Sequence, residues 1–322
     1  MIDLDVHVET RLFGRVEDCA AGGNPDELRA AVGELVSREP EFGTEGQGIA
    51  SAPEHWFPLQ QMGQASFWAQ QRALLGYLQA CLPESVMAIR PFVPPVPDYR
   101  HAAVIVDPVP GLQTCYGNGR GHQIFGLYEG AAPEEMLLFL SHTYYHELTN
   151  LIATPASRQA EAEPTTGARL RHLLMLLTRN EGIANYAVLA KLRELRSAGT
   201  EFRYFTYAPL VDDSAAVSKA LRACRELLQR ISDDTVAALL PRVTKAFKNP
   251  RLPIINLVGI HLADTIARHL GEAALLDVAG REPHEFFRLY ARTPDPGREI
   301  LFGSATEPDF TGFDIELSES SR

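Results

Sequence analysis

The sequence predicts an α+β fold that is mostly helical, with a small mixed sheet preceding a helix that carries two histidines. Two observations support this fold class. Residues 101–106 and 122–128 are rich in β-branched and aromatic residues and have strand character. From Pro133 onwards, apolar residues recur mainly at helical spacing, and Pro133 with the two glutamates after it is a typical helix start.

The first hundred residues predict one strand and two helices. Residues 1–8 alternate apolar and polar side chains, and they carry acids where an export signal would carry lysine, so we expect a first strand. A helix is predicted at 24–38 and a second at about 60–81, with a loop rich in Gly, Pro and Ser at 39–58. The proline-rich stretch 90–97 is neither helix nor central strand, and we expect a connector.

The remainder predicts further helices. The histidine helix ends near Pro155, a loop follows at 156–167, and a long helix follows at 168–197, with a break possible at 180–182. Later helix starts are indicated at 212–214, 232–234 and Pro283, and an apolar helix at 253–270 is closed by Gly271. After Pro294 the chain alternates Pro, Gly and acids, which predicts an extended tail.

These elements suggest four regions. Residues 1–98 hold the first strand and helices, 99–200 form the metal-binding core, 201–293 form a helical part that completes the cleft, and 294–322 are the tail. No internal repeat is present.

Composition limits the range of partners. The formal charge of −11 over 322 residues gives no electrostatic basis for binding nucleic acid or an anionic membrane surface, so we expect a small-molecule or peptide-like substrate. No stretch reaches the roughly twenty apolar residues that a transmembrane helix requires. Cys19, Cys81, Cys115 and Cys224 lack CxxC spacing, which favours reduced thiols in a cytoplasmic protein.

The most informative motif joins His142 and His146 with Glu181, which lies 35 positions after the second histidine. Two histidines at i and i+4 lie about 40° apart and about 6 Å along a helix, which lets both imidazoles bind one metal ion. A later glutamate completes a three-ligand zinc site with an open fourth position. The HxxxH pair alone is weak, because histidines at this spacing also occur as ordinary core residues.

The residue that zinc peptidases use as general base is missing from this motif. Peptidases of this kind place a glutamate directly after the first histidine, and here that position is Thr143, whose hydroxyl cannot accept a proton near neutral pH. Glu147 is an alternative base. It lies about 140° from His142 and about 100° from His146 around the helix and so points away from the metal, which favours a solvent-facing or supporting carboxylate over a base.

Three segments carry a resemblance to a known family: His142 to His146, Glu181 to Tyr186 in the pattern EGxAxY, and the glycine-led stretch that begins at Gly259. They resemble the bacterial predicted zinc-dependent proteases of the gluzincin group, with threonine in place of the motif glutamate. The resemblance extends from about residue 101 to residue 290 and implies a zincin-like fold. It also implies that His142, His146 and Glu181 bind Zn²⁺.

Two further residues are catalytic candidates beside Thr143 and Glu147. His261 follows Gly259 on the apolar helix and could stabilise an oxyanion, or it could be a half-buried histidine bonded to Asp264 or Thr265. Tyr186 could donate a proton, or it could be a packing residue.

Three functions are consistent with these residues. The leading hypothesis is a zinc enzyme without the usual glutamate base that performs non-proteolytic Lewis-acid catalysis, such as elimination or cyclisation, on a small peptide-like or metabolite substrate. The second is a zinc metallopeptidase that uses another base such as Glu147. The third is a zinc-binding pseudopeptidase without activity.

Overall fold

The computed structural model describes residues 5–9, single positions between 14 and 30, and residues 65–92, 101–107, 116–117, 123–126, 132–151, 153, 155–248 and 253–303. Most of these residues are helical, which confirms the mostly helical part of the fold prediction, whereas the zincin-like part stays a prediction. Among the described residues, no helix is both long and apolar enough to span a bilayer. The predicted loop at 39–58 lies outside the described residues.

The chain divides into two compact units. The first contains residues 1–90, 95–151 and 198–205. Its strands lie in the order β1-β2-β4-β3, in which β2 pairs in parallel with β1 and β4, and β3 pairs antiparallel with β4. Its elements are β1 (Asp5–Glu9), α1 (Ala65–Ile89), β2 (His101–Asp107), β3 (Tyr116–Gly117), β4 (Gln123–Gly126) and α2 (Pro133–Leu151).

Helix α1 packs against α2, and its Leu75, Leu78, Leu82 and Val86 recur at helical spacing and are buried. The hydroxyls of Ser85 and Ser141 bond across this packing. The predicted end of α1 at about residue 81 is wrong, because the helix continues through Pro83 to Ile89. The apolar repeat continues after the proline, and its burial outweighs the local cost of proline in a helix.

The second unit contains residues 91–94, 152–197 and 206–322. Within it the early half of α4, together with α5, α6 and the start of α7, encloses a core of leucine, isoleucine and valine side chains. Its helices are α3 (Pro155–Ala162), α4 (Gly167–Ser197), α5 (Ser214–Arg230), α6 (Val236–Lys248), α7 (Ile254–Leu270), α8 (Glu272–Ala279), α9 (Pro283–Ala291) and α10 (Gly297–Phe302).

Helices α4 and α7 cross with their backbones in direct contact at Gly182 and Gly259. A Cβ atom built on Gly182 would lie 2.5 Å from the carbonyl oxygen of Gly259, and one built on Gly259 would lie 2.3 Å from the carbonyl oxygen of Thr178. Both distances are far below van der Waals contact, so only glycine fits at either position. This crossing places the residues beside the two glycines next to each other.

Helix boundaries agree with the sequence where a local signal marks them. The side chain of Asp213 caps α5 by accepting from the backbone N–H groups of Ala215 and Ala216. Gly271 ends α7 at a φ of 88°, which favours glycine.

Three predictions about the second unit are wrong. Residues 155–162 form α3 instead of a loop, α4 runs through 180–182 without a break, and Gly297–Phe302 form α10 within the predicted tail. Tertiary contacts override weak local propensity at the last two places, because α4 packs on α7 and Leu301 of α10 is buried.

Candidate metal centre

Helix α2 presents two histidines to one point. The Nε2 atoms of His142 and His146 lie 3.1 Å apart. Two nitrogen ligands of one tetrahedral zinc, each bonded at about 2.0–2.1 Å, lie roughly 3.3 Å apart. The imidazoles are therefore already arranged nearly as a shared metal ion requires. His142 is buried and His146 is partly buried.

Aromatic side chains surround the His142 imidazole. The ring of Phe139 lies parallel to it, with centroids 6.3 Å apart, and the ring of Phe205 meets it edge-on at 5.8 Å. Tyr204 stacks on Phe139 at 4.4 Å. These rings pack around the buried imidazole and limit its orientations.

Glu135 holds the segment that supplies two of these rings. It is fully buried on α2, and its carboxylate accepts hydrogen bonds from the backbone N–H groups of Arg203, Tyr204 and Phe205 at 2.7 to 3.1 Å. A buried carboxylate needs such donors, because an uncompensated buried charge is strongly unfavourable. The Glu135 carboxylate therefore has a structural role, because its hydrogen bonds hold the backbone that carries the rings beside His142.

Glu181 lies on α4 directly before the Gly182 crossing, and it is buried. Its Oε2 accepts from the side-chain amide of Asn256 on α7 at 2.7 Å and from that of Asn185 at 3.3 Å. Asn185 also donates to the backbone carbonyl of Glu181 at 2.7 Å, and its Oδ1 accepts from the hydroxyl of Tyr207. Two side-chain amides thus hold Oε2 of the carboxylate.

The structure brings together the three residues that the sequence predicts as metal ligands. Ligand atoms of His142, His146 and Glu181 all lie within 4.8 Å of one another. Two imidazoles and one carboxylate are a donor set that zinc uses in catalytic sites, where the fourth position stays open. The residues therefore fit a zinc ion by type and by spacing.

The structure describes the two catalytic candidates on α2, Thr143 and Glu147, to different extents. The Thr143 hydroxyl donates within its own helix to the carbonyls of Phe139 and Leu140, each at 3.0 Å. Its proton is therefore shared with backbone oxygens, and a catalytic role for it remains a prediction. Glu147 belongs to α2, but its side chain lies outside the described part of the structure.

His261 and Tyr186 have partners other than those considered from sequence. His261 Nε2 lies 3.1 Å from Asp295 and 3.2 Å from the Tyr290 hydroxyl, so its partners are neither Asp264 nor Thr265. On α7 it is about 160° around the helix from Gly259, away from the crossing. Its oxyanion role stays a prediction.

The Tyr186 hydroxyl donates to Glu272 at 3.0 Å, and its ring packs edge-on against Phe92. Burial, together with this hydrogen bond, raises the pKa of Tyr186 to about 12. A higher pKa makes the phenol a weaker acid near neutral pH, which favours the packing role. Proton donation by Tyr186 also stays a prediction.

Sequence reasoning missed Glu135, Asn256 and Tyr207 and assigned no role to Asn185. Asn185 lies inside the EGxAxY segment four residues after Glu181, a helical spacing that signals contact. Asn256 is a polar residue in an otherwise apolar helix start, which also signals a buried partner. Glu135 and Tyr207 have no such local signal.

Comparison with known proteins identifies a family for this region. Residues 126–293, more than half of the chain, match the model of the family described as "Putative zinc dependent peptidase (DUF5700)". No curated protein and no solved structure matches the chain.

Proposed function

The chain belongs to the DUF5700 family, and from this membership we propose that it is a zinc metallopeptidase that hydrolyses peptide bonds. The observation that carries the proposal is the 3.1 Å separation of His142 and His146 Nε2, with Glu181 in the same cluster. The family description favours the peptidase alternative over the non-proteolytic catalysis that the missing motif glutamate suggests.

Each ligand has a defined part in this proposal. His142 and His146 supply neutral nitrogen donors from α2, and Glu181 supplies the negative charge that partly balances a divalent ion. Zinc held there would polarise a peptide carbonyl and lower the pKa of water. His142 is buried among aromatic rings, which strengthens electrostatic interactions in the site.

We propose Glu147 as the general base, which requires its side chain to reach back towards the metal across the roughly 100° of helix that separate it from His146. Helix α2 contains three acidic residues. Glu135 is committed to backbone N–H groups, and Glu134 lies about 12 Å along the helix from His142. Glu147 directly follows a metal ligand and is the remaining carboxylate of the helix.

We further propose a peptide substrate and a cytoplasmic location. Membership of a family described as zinc-dependent peptidases supports the peptide substrate. For the second, Cys81 and Cys224, the two cysteines within the described residues, are free thiols. Burial raises the pKa of Cys224 to about 12, which makes its thiol unreactive.

Zinc content and peptide hydrolysis test the proposal together. The purified protein is analysed for metal, and a pool of peptides from a digested, unfolded protein is incubated with it and examined by mass spectrometry. We expect about one zinc per chain, and cleavage that a zinc chelator abolishes and added Zn²⁺ restores. His146→Ala should lose both zinc and cleavage, whereas Glu147→Gln should keep zinc and lose at least about a hundredfold in kcat.

Each other outcome overturns part of this proposal. Zinc-loaded protein that cleaves no peptide would favour the inactive pseudopeptidase. Full activity of Glu147→Gln would exclude Glu147 as the base. Undiminished zinc in folded His146→Ala would remove the metal site itself.

A further inference from the structure

We propose that Asn256, with Asn185 and Tyr207, forms a positioning group that orients Glu181 for zinc. This inference rests on the proposed zinc site. Asn256 and Asn185 reach Glu181 by hydrogen bonds, and Tyr207 bonds Asn185, so each acts through Glu181.

The directions of the hydrogen bonds identify the members of this positioning group. The Asn185 Oδ1 accepts from the Tyr207 hydroxyl, which turns its Nδ2 towards Glu181. The Asn256 Nδ2 donates to the same carboxylate oxygen, Oε2, at 2.7 Å. Both amides thus hold Oε2, which fixes the rotation of the carboxylate.

Burial makes these bonds specific. Asn185 is fully buried, and Asn256 and Tyr207 are 6% and 7% exposed. Polar groups in such surroundings are costly without partners, and bonds to a charged carboxylate are stronger than neutral ones. The neighbours of Asn256 along α7, Ile255 and Leu257, are apolar and buried, so an apolar residue at 256 would satisfy packing alone.

The donors are neutral, and this distinguishes the group from an ion pair. A lysine or arginine at 256 would hold Oε2 equally well but would cancel the negative charge that a divalent ion requires. Amides orient the carboxylate and leave its charge available. The Gly182 and Gly259 contact makes the arrangement possible, because it brings α7 close enough for the short Asn256 side chain to reach Glu181.

Zinc affinity of the full-length protein tests this positioning role. The dissociation constant for Zn²⁺ is measured by competition with a chromophoric chelator at one pH, beside circular dichroism and the melting temperature of the metal-free protein. Asn256→Leu keeps the branching at Cγ and removes the donor, and Asn256→Asp keeps the shape and replaces the donor with an acceptor. We expect both to weaken zinc binding about 10- to 100-fold, and Tyr207→Phe to weaken it less.

Ile266→Ala is the matched control. Ile266 is fully buried on the same helix, about 15 Å further along, so its variant loses stability without reaching Glu181. We expect its zinc affinity to stay within about twofold of wild type. A merely structural role for Asn256 would instead lower the melting temperature in both variants and leave zinc affinity unchanged in both.

The failure of this inference is distinguishable from failure of the zinc site. Zinc binding by Asn256→Leu and Asn256→Asp at wild-type affinity, while His146→Ala binds none, would overturn the positioning role and leave the site intact. No zinc binding by wild type would overturn the site. Should neither Asn256 variant fold, unchanged affinity in Tyr207→Phe would count against the group, and weakened affinity would support it.

Discussion

Gly182 and Gly259 face each other where α4 crosses α7, and neither has room for a methyl group. Glu181 precedes one glycine, and Asn256 lies one helical turn before the other. The hydrogen bond between their side chains therefore depends on how closely two backbones approach. Any residue larger than glycine at the crossing should separate the helices and lengthen this bond.

Gly182→Ala should lower the free energy of unfolding by about 1–3 kcal/mol, because the added methyl overlaps the Gly259 backbone. Zinc affinity should fall with it. Gly76→Ala is the control, since a Cβ there meets nothing within 4 Å and alanine is the better helix former. Chemical denaturation and zinc titration of both variants measure the changes in stability and zinc affinity. Equal stability of Gly182→Ala and Gly76→Ala would contradict a direct backbone contact between the two helices.

Thr143→Val should retain zinc and most peptide hydrolysis, with kcat/KM within about threefold of wild type. The variant removes a hydroxyl that donates to carbonyls of its own helix and cannot act as a base. Steady-state assays on one cleaved peptide provide the measurement. A hundredfold loss in a zinc-loaded variant would instead give Thr143 the catalytic role that the sequence suggests for it.

Protonation of His172 should destabilise the protein in mild acid. Burial, with Arg179 and His284 nearby, lowers the pKa of His172 to about 4, and its Nε2 lies 3.1 Å from the Ser157 hydroxyl and 4.0 Å from Glu282. As pH falls, His172 therefore takes up a proton in the unfolded chain before it does so in the folded protein. The contribution of the neutral ring to the free energy of unfolding is fully present above about pH 6.5 and is lost as pH falls towards 4.

His172→Gln removes this titration and can keep a bond to Ser157. Between pH 7 and pH 5, the free energy of unfolding of wild type should fall by about 2 kcal/mol more than that of the variant. Denaturant titrations at the two pH values measure the difference. Parallel pH dependence of the two proteins would show that His172 titrates normally.

Asp295→Ala should lower the free energy of unfolding by about 2–4 kcal/mol at pH 7, since Asp295 accepts from the Tyr290 hydroxyl and the Gly297 backbone and faces His261. Burial acts to raise the pKa of Asp295, but these hydrogen bonds and the His261 charge lower it overall. The contribution should therefore persist above about pH 4 and decline below it, as the carboxylate is protonated.

Asp277→Ala is the control for this effect, because Asp277 forms an exposed pair with Arg281 within α8 and its loop. Its stability should stay within about 0.5 kcal/mol of wild type. Both variants should bind zinc normally. A loss of zinc affinity in Asp295→Ala alone would link the His261 cluster to the metal site.

Local signals in the sequence predict the helices that begin with a cap or end at glycine, as at Asp213 and Gly271. They also predict that the imidazoles of His142 and His146 lie together, because HxxxH places both on one face of a helix. What they cannot predict is contact between distant segments. Glu135 meets a segment 68 or more residues away, and Asn256 meets Glu181 across 75 residues.

The role of His261 shows the same limit. Spacing along a helix predicts Asp264 and Thr265 as partners of His261, whereas in the structure its partner is Asp295, 34 residues away.

The sequence prediction missed the short helix α3 for a different reason. Its polar composition resembles a loop, although Pro155 is a good first helical residue. The side chain of Glu147 lies outside the described residues, so its direction still rests on helix geometry.

The reach of Glu135 to the backbone at 203–205 limits how far the motif can be transplanted. A peptide spanning residues 133–197 would contain all three proposed metal ligands, yet it would lack Phe205, Tyr207 and Asn256. Engineering that grafts only the two ligand helices onto another scaffold would therefore transfer the donors without the groups that orient them. The smallest part of this chain that could carry the site to another scaffold must therefore include these supporting residues as well as the motif.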